Sequence, residues 1–120
     1  MRLRMSIDNK PDANLTAYLV DYGPPGATAE PFVVTRGWMD PQNRPRPDRT
    51  QPVTQGRLAT YRWVLQPKDY VFAAGHRIGV VVFSSDQEHT LLPLGGTRLT
   101  VDRGPAGSPS RVVGGTCALT

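Results

Sequence analysis

The 120 residues carry 14 Lys and Arg against 10 Asp and Glu, with 12 glycines, 12 prolines and one cysteine. That is one domain's worth of chain, able to bury a core of its own. Pro and Gly at this frequency disfavour long helices, and a single thiol excludes an intrachain disulfide. A net charge of +4 is too small to specify nucleic acid, and no apolar run is long enough to cross a bilayer as a helix. Neither nucleic acid nor membrane is therefore an expected partner.

Arg2-Leu3-Arg4-Met5-Ser6-Ile7-Asp8 alternates polar and apolar residues with a period of two, which predicts a half-buried strand. Asn9-Lys10-Pro11-Asp12 ends it. A second strand is predicted over residues 14–22, stopped by Gly23-Pro24-Pro25-Gly26, and a third, shorter one over residues 31–37. Residues 38–57 then hold four prolines and four arginines with no period. A stretch this long inside a compact domain is expected to be anchored or functional, with Trp38 and Met39 as the anchors and one helical turn around residues 40–44. Over residues 58–65 alternation resumes, with Leu58, Thr60, Arg62 and Val64 on one face and Tyr61, Trp63 and Leu65 on the other. The aromatics mark the second face as the core side. Residues 78–83 are almost continuously apolar and β-branched, which predicts a central strand covered on both faces. Residues 97–102 form a further alternating strand, and residues 111–113 are expected to close the sheet. Short strands with long connections point to an all-β, antiparallel sandwich in a single domain over residues 1–120.

Ser84-Ser85-Asp86-Gln87-Glu88-His89 contains the residue types of a serine-hydrolase triad, but three groups within six residues cannot easily converge on one reacting centre. No Gly-x-Ser-x-Gly elbow occurs anywhere in the chain. The plainer reading is a polar strand end whose side chains bond nearby amides. His76 and His89 are the only histidines, and with one cysteine they do not supply the three or four ligands of a zinc site. His76 follows Gly75 in a predicted turn, where its ring would pack or hydrogen-bond at a strand mouth. His89 would cap a loop or face a partner. Asp21, Asp40 and Asp86 are the carboxylates left open as ligands of an oxygen-bound cation, while Cys117 reads as a spare or buried thiol. Arg36, Arg44, Arg46, Arg49 and Arg57 surround the proline-rich stretch, and Asp40 and Asp48 among them favour local ion pairs over an anion-binding surface. No cofactor site is expected.

Five blocks in order carry a resemblance: residues 15–23 ending in Leu-Val-Asp, Val34-Thr35-Arg36-Gly37-Trp38, Tyr70-Val71-Phe72-Ala73-Ala74-Gly75-His76-Arg77-Ile78, His89-Thr90-Leu91-Leu92-Pro93, and Gly96-Thr97-Arg98-Leu99-Thr100. Together they resemble the C-terminal domain of Xaa-Pro dipeptidyl-peptidases and their cocaine-esterase-like relatives. The resemblance implies a jelly-roll sandwich of the galactose-binding-like type, forming the C-terminal portion of a larger hydrolase and packing on its catalytic α/β-hydrolase domain. The family's catalytic serine, aspartate and histidine belong to that other domain, so no catalytic residue carries over to this chain, which is expected to be inactive alone. Trp38, Arg36, His76 and His89 are the expected interdomain or ligand contacts. Family sandwiches begin with strands upstream of the segment matching residues 3–7, which implies a free edge there and self-association through it. The alternative is a freestanding carbohydrate- or ligand-binding module.

Overall fold

The alternation at the start of the chain is realised as β1 (Arg2–Ile7). A computed structural model describes residues 1–44, 46, 48–84, 96–102, 110–112 and 117–119, the last two ranges as backbone. The further elements are β2 (Leu15–Asp21), β3 (Phe32–Met39), a 3-10 turn (Pro41–Asn43), β4 (Ala59–Arg62), β5 (Ile78–Phe83), β6 (Leu99–Asp102), β7 (Ser110–Val112) and β8 (Cys117–Leu119). The chain is all-β, as composition predicts.

Two antiparallel three-stranded sheets form the body: sheet A in the order β4-β1-β6 and sheet B in the order β3-β2-β5. Leu3 lies opposite Tyr61, and Met5 lies between Ala59 and Val101. In sheet B, Ala17 faces Gly37 on one side and Val82 on the other. A bulge in β3 between the partners of Leu19 and Val20 inserts Val34 as an extra residue. The core lies between the sheets. Met5, Ile7, Tyr61 and Trp63 meet Leu15 and Ala17, with Val80 and Val82 packed against them. Burying a side chain of this size contributes roughly 1.5–3 kcal/mol. Trp63 also donates its indole N–H to the Leu15 carbonyl, at 3.4 Å.

The aromatic face of residues 58–65 turns inward as expected, with Tyr61 and Trp63 buried. Four expectations are corrected. First, the residues 3–7 segment is no free edge: β1 is the middle strand of sheet A and bonds to both β4 and β6. Second, β5 is not central. It is the outer strand of sheet B among the described residues, and β2 is the middle one. Nor is β5 covered on both faces, since Val81 on the side away from the core is 36% exposed. Third, β3 does not stop at Gly37. It runs on through Trp38 and Met39, because Gly37 serves a close approach rather than a turn: a Cβ there would collide with the Val64 carbonyl. Fourth, β7 joins neither sheet but pairs with β8, so it does not close the sandwich.

The proline-rich stretch is pinned by Pro41 and Val53, both buried. Asp40 Oδ1 accepts the Gln42 amide at 2.8 Å and caps the 3-10 turn. The Val53 amide donates to the Pro11 carbonyl at 3.0 Å and the Gly56 amide to the Ile7 carbonyl at 2.8 Å. Trp38 and Met39, expected as anchors of this stretch, are the last two residues of β3, and Met39 packs against the core.

Candidate functional site

At the end of β2, the Asp21 carboxylate gathers a loop 49 to 55 residues further along the chain. Asp21 is 4% exposed. It accepts the Gly23 amide at 2.8 Å and the Tyr70 hydroxyl at 2.8 Å. His76 Nδ1 lies 2.9 Å from both carboxylate oxygens. An ionised carboxylate can only accept, so Nδ1 carries the proton and donates. The loop reaches this position by a turn in which the His76 amide donates to the Ala73 carbonyl at 3.1 Å and Gly75 takes a left-handed φ of 81°. The Arg77 amide then donates to the Gly23 carbonyl at 2.9 Å, and the Tyr22 amide to the Arg77 carbonyl at 2.9 Å, leading into β5. Tyr70 stacks on Phe32 with centroids 5.4 Å apart and meets Phe72 edge-on at 5.0 Å.

These contacts set the electrostatics. The His76 hydrogen bond, helped by the Gly23 amide and the Tyr70 hydroxyl, holds the Asp21 carboxyl below the usual range against the opposing effect of burial. The hydrogen bond to Asp21 pushes the Tyr70 phenol up, since its ionisation would place a second negative charge beside the first. An aspartate orienting a histidine is two-thirds of a hydrolytic triad. Among the described residues, however, no hydroxyl or thiol nucleophile is hydrogen-bonded to the imidazole. Asp21, His76 and Tyr70 make a latch that fixes the loop to the sheet.

The second feature is the face of sheet B turned away from the core. Leu15, Ala17, Val80 and Val82 point inward, so the intervening residues of β2 and β5 point outward. Pairing sets Trp38, Thr16 and Phe83 in one cross-strand row and Arg36, Tyr18 and Val81 in the next. The Tyr18 and Phe83 rings meet edge-on at 4.8 Å, and the Arg36 guanidinium lies 5.0 Å from the Tyr18 centroid. Thr16 is 1% exposed beneath them, and its hydroxyl has no hydrogen-bond partner.

Sequence reading placed Arg36 beside the proline-rich stretch; it stands on this outer face instead. His76 bonds at a strand mouth as expected, but its partners Asp21 and Tyr70 were not foreseen as such. His89, Ser85 and Asp86 lie outside the described residues, as does the side chain of Cys117. Asp21 and Asp40 are both engaged by neighbouring groups, and the described residues contain no group of three His, Cys, Asp or Glu able to hold a metal ion. Within the arginine-rich stretch, Arg46 grips Asp48 through two bonds of 3.0 and 2.9 Å, the local pairing that the interleaved charges predict.

Residues 1–115 match the family model described as the X-Pro dipeptidyl-peptidase C-terminal non-catalytic domain. A Bacillus cereus protein named "Putative Xaa-Pro dipeptidyl-peptidase" is 52% identical over 89 residues, covering 74% of this chain and 15% of its own. A Rhodopirellula baltica protein of the same name is 40% identical over 124 residues, covering 99% of this chain and 19% of its own. The chain thus spans less than a fifth of the length of either relative. No solved structure matches it. On these matches the chain belongs to the X-Pro dipeptidyl-peptidase C-terminal non-catalytic domain family.

Proposed function

We propose that this chain is the accessory C-terminal portion of a larger serine hydrolase that releases Xaa-Pro dipeptides or cleaves related esters. In this reading it is a jelly roll of the galactose-binding-like type that packs on the catalytic α/β-hydrolase domain and shapes its cleft. The observation that carries the reading is the family match over residues 1–115 to a domain defined as non-catalytic, in a chain that covers only 15–19% of relatives named as dipeptidyl-peptidases. The geometry agrees with it, since the Asp21–His76 pair is spent on fixing a loop and has no hydrogen-bonded nucleophile among the described residues. The carbohydrate-module alternative stands on fold analogy alone, with Trp38 as the residue that would hold a sugar. Trp38 is a half-buried residue of β3, so no observation favours that reading.

The test is cleavage of an Ala-Pro chromogenic amide by the full-length protein and by residues 1–120 alone. Cleavage by the full-length protein only is the expected result. Cleavage by residues 1–120 that disappears on Ser85→Ala or His76→Ala would place catalysis in this domain and overturn the reading.

A further inference from the structure

An antiparallel sheet with one solvated face presents polar residues there, and sheet A does so. Sheet B does not. Its outer rows, Trp38–Thr16–Phe83 and Arg36–Tyr18–Val81, hold three aromatic rings, a valine and one formal charge. Val81 on this face is 36% exposed, and an apolar sheet face of this composition is a mark of an interaction site.

We propose that the outer face of sheet B is the docking surface for the remainder of the parent enzyme chain, which sets an apolar patch on Tyr18, Phe83 and Val81 and a carboxylate against Arg36. This rests on the accessory-domain reading above. Three observations choose the occupant. The relatives extend to about five times the length of this chain, so the larger body to be covered is their own polypeptide. Arg36 has no carboxylate within salt-bridge reach among the described residues, and a guanidinium enclosed by a partner is costly unless that partner supplies the counter-charge. Its place 5.0 Å over Tyr18 fixes where that charge must arrive. Finally, the outer face of the opposite sheet is polar, with Arg4 and Asp102 paired at 3.5 Å, and such a face needs no cover.

The test uses the full-length enzyme with a photoreactive phenylalanine analogue at position 81, and the charge reversals Arg36→Glu and Arg4→Glu. Docking predicts cross-links from position 81 to peptides outside the family-matched region. It also predicts that Arg36→Glu shortens the half-life of Ala-Pro amide cleavage at elevated temperature by about tenfold or more, as a buried like-charge contact does, while Arg4→Glu stays within about twofold. Cross-links confined to this domain, equal effects of the two reversals, or saturable glycan binding on this face would each overturn the docking assignment. Failure of the accessory reading looks different: a wild-type enzyme without Ala-Pro cleavage removes the substrate assignment while the cross-links still decide the surface. A native chain no longer than this one overturns both.

Discussion

The two sheets share one core and differ on their outer faces. Sheet A presents Arg2, Arg4, Thr60, Arg62, Thr100 and Asp102 outward, in register with one another. Its carboxylates are satisfied within the sheet: Ser6 and Thr100 donate to Asp8 at 2.5 and 2.6 Å, which holds that carboxyl below the usual range. Sheet B presents rings and a valine, and its terminal carboxylate, Asp21, is satisfied by a loop brought from far along the chain. The same strand chemistry thus yields one face finished by its own hydrogen bonds and one left apolar. The difference separates a polar, solvated face from an apolar one.

Removing the shared core should erase the comparison altogether. Trp63→Ala deletes a side chain 2% exposed and is expected to cost about 3–5 kcal/mol, read as a lowered urea midpoint with an unchanged slope. Gly37→Ala strikes where sheet B meets the segment that follows β4. Its Cβ would meet backbone rather than a movable side chain, and overpacking of this kind costs about 1–3 kcal/mol. Loss of protection should appear first at the Gln66 amide, which donates to the Arg36 carbonyl at 2.8 Å, and hydrogen exchange reads it directly. An unaltered exchange pattern would show that the segment after β4 is not held through this contact.

Asp21→Asn sharpens the contrast through pH. The folded-state carboxyl titrates below its unfolded value of about 3.9. Its stabilising contribution is therefore complete above that value and lost as pH falls through the lower, folded-state one. Wild type should exceed the Asn variant in urea midpoint at pH 7, with the gap closing toward pH 3; a gap constant across that range would show that the carboxylate's charge does not matter. Arg4→Ala should do least. The Arg4–Asp102 pair is 3.5 Å long and Arg4 is 63% exposed, so a change under about 0.5 kcal/mol is expected. Repeating the melt at high salt checks that what remains is electrostatic.

Much of sheet A was legible in the chain because its signals are local. The alternation of Arg2 to Asp8 requires one polar and one apolar face, and the spacing of Tyr61 and Trp63 names the core side. Sheet B was harder to read because its decisive relations are distant. Nothing near Asp21 announces that a histidine 55 residues later will bind it, although the Leu-Val-Asp strand end and the Gly-His turn were each visible separately. Gly37 looked like a terminator because a missing side chain has the same letter whether it permits a turn or a close approach. The run from Ile78 to Phe83 looked central because it is almost continuously apolar and β-branched. Its place at the side of β2 follows from pairing, which side-chain pattern does not encode.

The most direct test of the accessory-domain account is the intact mass of the native protein carrying this domain, measured together with its cleavage of an Ala-Pro chromogenic amide. The account predicts a chain several times the 13.1 kDa of these residues that cleaves the amide and keeps doing so after His76→Ala at a temperature where it stays folded. A native chain of 13.1 kDa, or activity that vanishes with His76 in a folded protein, would contradict it.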